Sequence, residues 1–344
     1  VEASNGKTTF STLFVNSGVR KLYAGQTLPF DSDTGGLWVF DMDAQGELTS
    51  SDERVYPIRA PDETEKKLAV NISCIRVSRD GRKLYAGLDY TLRQTVKSLL
   101  VYDLNEKGEP TGKPRLYKSG NPNSSIKDMR VHPSLDLLYL VGWGGAGVYA
   151  IPLAKGEPSG EPVEYKIGSN GKFTALPNDR WDTLLLGTHP GILETVSLLP
   201  SGDIEVPKRR EDYTYKVENS PKVYLQPARV GRCLYFVLDT KLCSWPLNSE
   251  WQPVEQPKAM PDLKAAGVLT GVHTNLYVVT DDSQRDASSK KVLASIFRIL
   301  EFKPDENGNP GKPVFESAPF ERQTFLSMTA DETSGIIYFS SSRR

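Results

Sequence analysis

Apolar and polar residues alternate in short runs along the whole chain, and clusters of Asp, Gly, Asn and Pro separate the runs. One stretch shows the order well. The run 69-AVNISCIRVS-78 leads through Asp80 and Gly81 into 82-RKLYAGLDY-90, then 98-SLLVYDLN-105, a glycine turn and 114-PRLYKS-119. A period of two, with many β-branched and aromatic residues, predicts four short antiparallel strands joined by polar turns. No helical period displaces it elsewhere.

The same order returns along the sequence. The segment 19-VRKLYAGQT-27 is followed by 81-GRKLYAGLDY-90, 137-LLYLVGW-143, 183-TLLLGTH-189, 234-LYFVLDT-240, 276-LYVVTDD-282 and 336-IIYFSSS-342. The aligned residues are Tyr23, Tyr85, Tyr139, Leu185, Tyr235, Tyr277 and Tyr338, with a mean spacing of about 52 residues. Four strands at that period make the blade of a β-propeller. The expected fold is therefore all-β: one seven-bladed propeller domain over residues 1–344, built of four-stranded antiparallel blades. A single four-stranded sheet cannot hide both apolar faces, whereas radial stacking packs each sheet between two others.

The last unit reads differently. It holds two strands, 323-QTFLSMTADETSGIIYFS-340, before Arg344, and the N-terminus opens directly into an inner strand, 8-TTFSTLFVNS-17. The last blade is expected to be incomplete, with either more chain beyond Arg344 or a protein partner covering its open edge.

Composition narrows the function. Lys plus Arg (42) nearly balances Asp plus Glu (43), which argues against wrapping nucleic acid or lying on an anionic membrane. No apolar run has the length of a spanning helix. The chain starts at Val1, which fits either processing on export, for instance to a periplasm, or excision from a longer protein. Three cysteines, with no CxxC, exclude a disulfide scaffold and a zinc cluster. If Asp239 and Thr240 form a turn, Cys243 faces Phe236 and not Cys233, so the thiols are expected to be free. No cofactor and no metal is expected. The stretch 40-FDMDAQGELTSSD-52 has nearly the spacing of a calcium loop. Its counterparts in other units keep the glycine but not the carboxylates, so Gly46 reads as a hairpin residue with positive φ.

The recurring order of an inner strand, a D-G turn, "RKLYAG", "LLVYDLN" and a glycine turn resembles the lactonase-like propellers, including the YVTN-repeat proteins. That family includes 6-phosphogluconolactonase-type enzymes and the fungal muconate cycloisomerase. The resemblance implies a catalytic histidine near the start of an inner strand around the third blade, with Arg and Glu from neighbouring blades. In 124-SSIKDMRVHPS-134, Lys127 and Asp128 stand at that place, and His132 comes later, at the turn out of the strand. His189 and His273 lie apart from it. No GxSxG, HExxH or P-loop occurs, and 142-GWGGAGVY-149 reads as a tight hairpin.

Counting back an equal number of positions from the aligned residues gives Lys172, Lys222 and Lys264, with Lys127 one position away. Four ammonium groups at one channel mouth would attract a small anionic ligand such as a sugar acid. Asp128 is the candidate acid or base beside them. Two functions follow. The first is a non-catalytic binding scaffold, holding a ligand in the funnel or a protein at the open last blade, with 57–70 and 281–292 as exposed recognition loops. The alternative is a lactonase or cycloisomerase acting on a sugar-acid lactone in the funnel.

Overall fold

The computed structural model describes residues 9–27, 36–49, 54–57, 71–89, 97–120, 125–143, 147–168, 171–188, 191–209, 214–217, 227–238, 240–272, 274–281, 284–285, 292–294, 296–305, 308–321, 323–331 and 333–343. It is an antiparallel all-β propeller. The first unit runs Thr9–Asn16, Lys21–Thr27, Gly36–Asp41 and Arg54–Pro57, each strand bonded to the next. The second runs Asn71–Val77, Lys83–Asp89, Lys97–Leu104 and Pro110–Lys118, within a few residues of the strands expected from the alternation. The third and fourth units repeat the meander, their outer edges divided into two short strands. Among the described residues no helix is long and apolar enough to cross a membrane.

The later units do not separate into independent four-stranded blades as the repeat predicts. Lys258–Val272 serves first as the edge strand of the fifth unit and then as the inner strand of the sixth, so the two form one eight-stranded sheet. Among the described residues the seventh repeat contributes the hairpin Gln323–Ala330 and Ile337–Arg343.

The aligned tyrosines explain how units join. Each is buried, and in five of the six the hydroxyl donates to the carbonyl of a glycine in the outer hairpin turn of the next unit; Tyr277 instead accepts from Asn275. Tyr23 reaches Gly108 (2.7 Å), Tyr85 reaches Gly156 (2.7 Å), Tyr139 reaches Gly202 (2.6 Å) and Tyr235 reaches Gly308 (2.9 Å). Tyr338 reaches back to Gly46 at 2.5 Å and so closes the ring between the two ends of the sequence. Burial pushes these phenols above their ordinary pKa. The glycines are required twice over. Gly46 and Gly202 have φ of 85° and 86°, and a Cβ on either would stand 3.1 or 3.0 Å from the tyrosine oxygen. Gly46 is thus the hairpin residue expected. Asp43 caps the same turn, accepting from the N–H groups of Gln45 and Glu47, while Asp41 pairs with Lys21 and Arg54.

The first two joints add ion pairs. Arg54 bridges Asp41 of its own unit and Glu109 of the next. One unit on, Lys83 and Arg115 bridge Asp103 and Glu157 in the same way, with Tyr117 also donating to Glu157. The arginines hold the carboxyls of Asp103 and Glu109 down to about 2. The three cysteines are buried thiols outside any disulfide, and Cys243 pairs directly with Phe236, as the turn at Thr240 requires.

Candidate functional site

Every inner strand for which the register is described past its first residues carries an irregularity, and in five units it lies at one place. The extra residue falls between Phe10 and Thr12, Ile72 and Cys74, Ile126 and Asp128, Lys172 and Thr174, and Phe325 and Ser327. A bulge of this kind bends a strand and re-aims a side chain. In the first two units the extra residue is Ser11 or Ser73, whose hydroxyl donates to the inner strand of the following unit, at Ile72 or Ile126. In the third it is Lys127.

This bulge sets Lys127 apart from Lys172, which lies one position away from it in the alignment. Lys127 projects from the bulge and pairs with Asp89 at 2.5 Å, with about a quarter of its side chain exposed. Ser125 donates to the other oxygen of Asp89. Lys172 stands one place earlier in its strand, where the third unit has the core residue Ile126. It is wholly buried, bonded to the Ile167 carbonyl and ion-paired with Glu194 at 2.5 Å, and has no surface to present to a channel mouth. Lys222 lies outside the described residues, as do His189 and His273. The backbone of Lys264 pairs with Lys241 where the fifth unit passes into the sixth, and its side chain is outside the described set.

The charges that do meet in the channel come from a different register position. The residues paired with the aligned positions Tyr23, Tyr85, Tyr139, Leu185 and Tyr338 are Phe14, Arg76, Arg130, Leu176 and Thr329, one from each of five inner strands. Cross-strand partners share a face, so these side chains also project toward the next unit. Arg76 reaches Asp128 of the third unit at 2.8 Å, and Arg130 bonds the other Asp128 oxygen at 2.9 Å and the Ala175 carbonyl at 2.5 Å. Phe14 lies beneath Arg76, 5.8 Å from guanidinium carbon to ring centre.

Asp128 is the hub of this group. It is 6% exposed and accepts from five donors: Arg76, Arg130, the Thr174 hydroxyl and the backbone N–H groups of Met129 and Ala175. A carboxylate so engaged has its lone pairs directed at protein donors. It orients two guanidinium groups, and Arg76 also donates to the Ile75 carbonyl at 2.7 Å. Burial lowers the Arg130 pKa to about 10, opposed by the nearby Asp128, so the group stays cationic at neutral pH. Burial also pushes the Cys74 thiol up to about 12, which keeps it protonated.

These groups line a cavity of about 590 Å³, together with Thr12, Ser17, Thr329 and Thr333 from the first and last units. A somewhat larger cavity, about 720 Å³, lies between the fifth and sixth units and is lined by Arg232, Glu255, Lys258 and Asp305. Its charges alternate in sign, whereas the channel cavity gathers three cations around one carboxylate that is already fully bonded. His132 is not part of either site. Its Nδ1 accepts from the N–H groups of Ser134 and Leu135, and its ring packs on Trp181.

Of the residues named from the sequence, Asp128 and Lys127 line this cavity; Arg76 and Arg130, which line it too, were not named. The repeat held the sign: the two arginines stand equally far before Tyr85 and Tyr139, in "CIRVS" and "DMRVH".

No protein-family model matches the sequence, and no curated protein does. Solved structures do. A protein from Lactobacillus plantarum superposes with a TM-score of 0.60 at 11% identity, covering 89% of this chain and 84% of its own. A candidate 6-phosphogluconolactonase from Bacteroides uniformis superposes at 0.59 with 13% identity, covering 90% and 88%. Another from Bacteroides fragilis superposes at 0.58 with 11% identity, covering 95% of each chain. At such identities the likeness establishes the fold alone, and the β-propeller expected from the repeat is the one observed.

Proposed function

We propose that the channel cavity binds a small anionic sugar-acid lactone and that the protein hydrolyses it. The observation that carries this reading is the arginine pair, Arg76 and Arg130, held by Asp128 in the lining of a polar cavity of ligand size. Oriented guanidinium groups suit a carboxylate or phosphate, and they stabilise charge developing on a carbonyl oxygen. Water would add to the lactone carbonyl, the ring C–O bond would break, and the released oxygen would take up a proton to give a hydroxy acid. Fixing the donors beforehand removes reorganisation from that step. The structural likeness to candidate 6-phosphogluconolactonases supports the same chemistry.

Asp128 then acts as a positioning residue and not as the base read from its place in the sequence. Its saturated oxygens also favour the second reading, a propeller that binds an anionic ligand without turning it over, because no uncommitted carboxylate lines the cavity among the described residues.

The test is hydrolysis of 6-phosphogluconolactone and gluconolactone by the purified chain, with ligand binding followed by thermal shift. The proposal requires turnover that Arg76→Ala and Arg130→Ala each reduce at least tenfold, with Asp128→Asn reducing it through loss of both orientations. A saturable shift without turnover sinks the hydrolase and leaves the binding propeller. Absence of both sinks the site.

A further inference from the structure

The channel cavity is longer than the arginine pair needs. Along the first unit its lining runs from Thr12 past Phe14 to Ser17, and along the last from Ser327 past Thr329 to Thr333. Phe14 and Thr329 stand level with Arg76 and Arg130, all four paired with aligned positions. The wall therefore continues past that level for roughly 10 Å at the rise of a strand. Its volume holds about twenty waters at roughly 30 Å³ each, whereas one sugar-acid lactone supplies about a dozen non-hydrogen atoms. The two ends differ in charge. Lys127 lines the cavity from a place before Arg130 in the same strand, and Asp89 holds it. At the far end no cation stands among the described lining residues. Ser17 and Thr333 lie there beside Asp331, which is 4% exposed and accepts from the Ser17 hydroxyl, the Ser334 hydroxyl and the Thr333 N–H. That carboxylate repels a phosphate or a second acid group, while Ser17, its own proton committed, offers an acceptor oxygen to a ligand hydroxyl.

We infer that the ligand of this channel carries a second, uncharged sugar: its sugar-acid lactone unit lies among Arg76, Arg130 and Lys127, and the second sugar extends to Ser17 and Thr333. This rests on the lactone reading of the same cavity and specifies its substrate. A glycosidically attached sugar suits both ends, because it adds length and hydroxyl groups without adding charge. Hydrolysis opens the lactone ring as described above and leaves the glycosidic bond intact. Binding energy from the second sugar, remote from the bond that breaks, is then available to hold the lactone carbonyl against the guanidinium groups.

The test compares matched pairs on the purified full chain. Turnover is measured for gluconolactone against lactobionolactone and cellobionolactone, corrected for spontaneous hydrolysis, and thermal shift for gluconate against lactobionate. The expected result is a kcat/KM about tenfold higher for the disaccharide lactones and a shift midpoint about tenfold lower for lactobionate, the effect of one or two added hydrogen bonds. Thr333→Phe, in an exposed turn, fills the far end and brings both ratios near unity. Thr329→Val, which keeps the shape of the side chain and removes its hydroxyl, lowers them about fivefold. Gluconolactone turned over as well as its glycosylated forms overturns the inference and leaves the hydrolase standing. If no lactone is turned over, the hydrolase reading falls and the two acids decide. A lower midpoint for lactobionate then keeps the extended ligand in a binding propeller, and equal or absent shifts overturn it. Ratios that survive both substitutions put the second sugar elsewhere and overturn it as well.

Discussion

The joint between the third and fourth units and the joint between the fourth and fifth close the same gap with different residues. At the first, Tyr139 reaches across to Gly202, and the glycine's missing side chain makes room for the phenol. At the second, the tyrosine is replaced by Leu185 and the glycine by Trp251, three residues after the turn-capping Asn248. Trp251 keeps the left-handed backbone, with φ of 64°, and its ring fills the space against Leu185 while Arg229 lies 5.1 Å over its face. A hydrogen bond through an empty site is exchanged for an apolar plug in a strained turn. Left-handed backbone at a non-glycine residue costs about 1–2 kcal/mol, which a buried indole offsets. The fold therefore requires the gap to be filled and does not prescribe the chemistry.

Substitutions at these joints separate the two solutions, with equilibrium unfolding as the readout. Trp251→Ala has the largest expected effect, a loss of about 4 kcal/mol, because it empties a buried site and leaves the strained turn. Trp251→Gly relieves that backbone, and adding Leu185→Tyr should recover about 1 kcal/mol more if the tyrosine clasp can be transplanted. Absence of recovery would mean that each joint is fitted to its own pair.

At the tyrosine joint, Gly202→Val is expected to cost about 3 kcal/mol, from positive φ together with collision against Leu137 and the Tyr139 oxygen. Tyr139→Phe, which loses one bond and keeps the ring, should cost about 1 kcal/mol.

The tyrosine joint also carries a pH dependence that the tryptophan joint lacks. His132, packed on Trp181, uses an unprotonated Nδ1 as the turn acceptor, and burial, with a smaller contribution from Arg79, lowers its pKa. The unfolded chain takes up the proton first as pH falls. The contribution is therefore complete above about pH 6.5 and is lost as pH falls below it toward the folded value. His132→Asn should keep the turn and flatten that slope, whereas an unchanged slope would place the titration elsewhere. The smallest effect belongs to the ion pairs of the first joint. Arg54→Ala is expected to cost less than about 1 kcal/mol and to fade in high salt, because the pair is partly exposed.

Legibility in the sequence followed distance along the chain. The strands, their hairpins, the glycine at position 46 and the opposition of Cys243 to Phe236 could be read because each depends on neighbours within a few tens of residues. Lys172 was misplaced because equal spacing carries no mark of a bulge. One inserted residue shifts a side chain to the other face, and the position that exposes Lys127 in the third unit falls on Phe173 in the fourth. Asp128 was visible as a charged residue in an inner strand, but its five donors come from three different units.

The sequence by itself determined the repeat, the antiparallel meander within each unit and the tyrosine and glycine positions, because alternation and turn chemistry are local and recur with the period. Only the tertiary structure decided which charges meet, that Lys258–Val272 serves two units, and that Tyr338 closes on Gly46. These outcomes depend on where the ring brings distant strands together, and the contacts that fix them do not exist until it has closed.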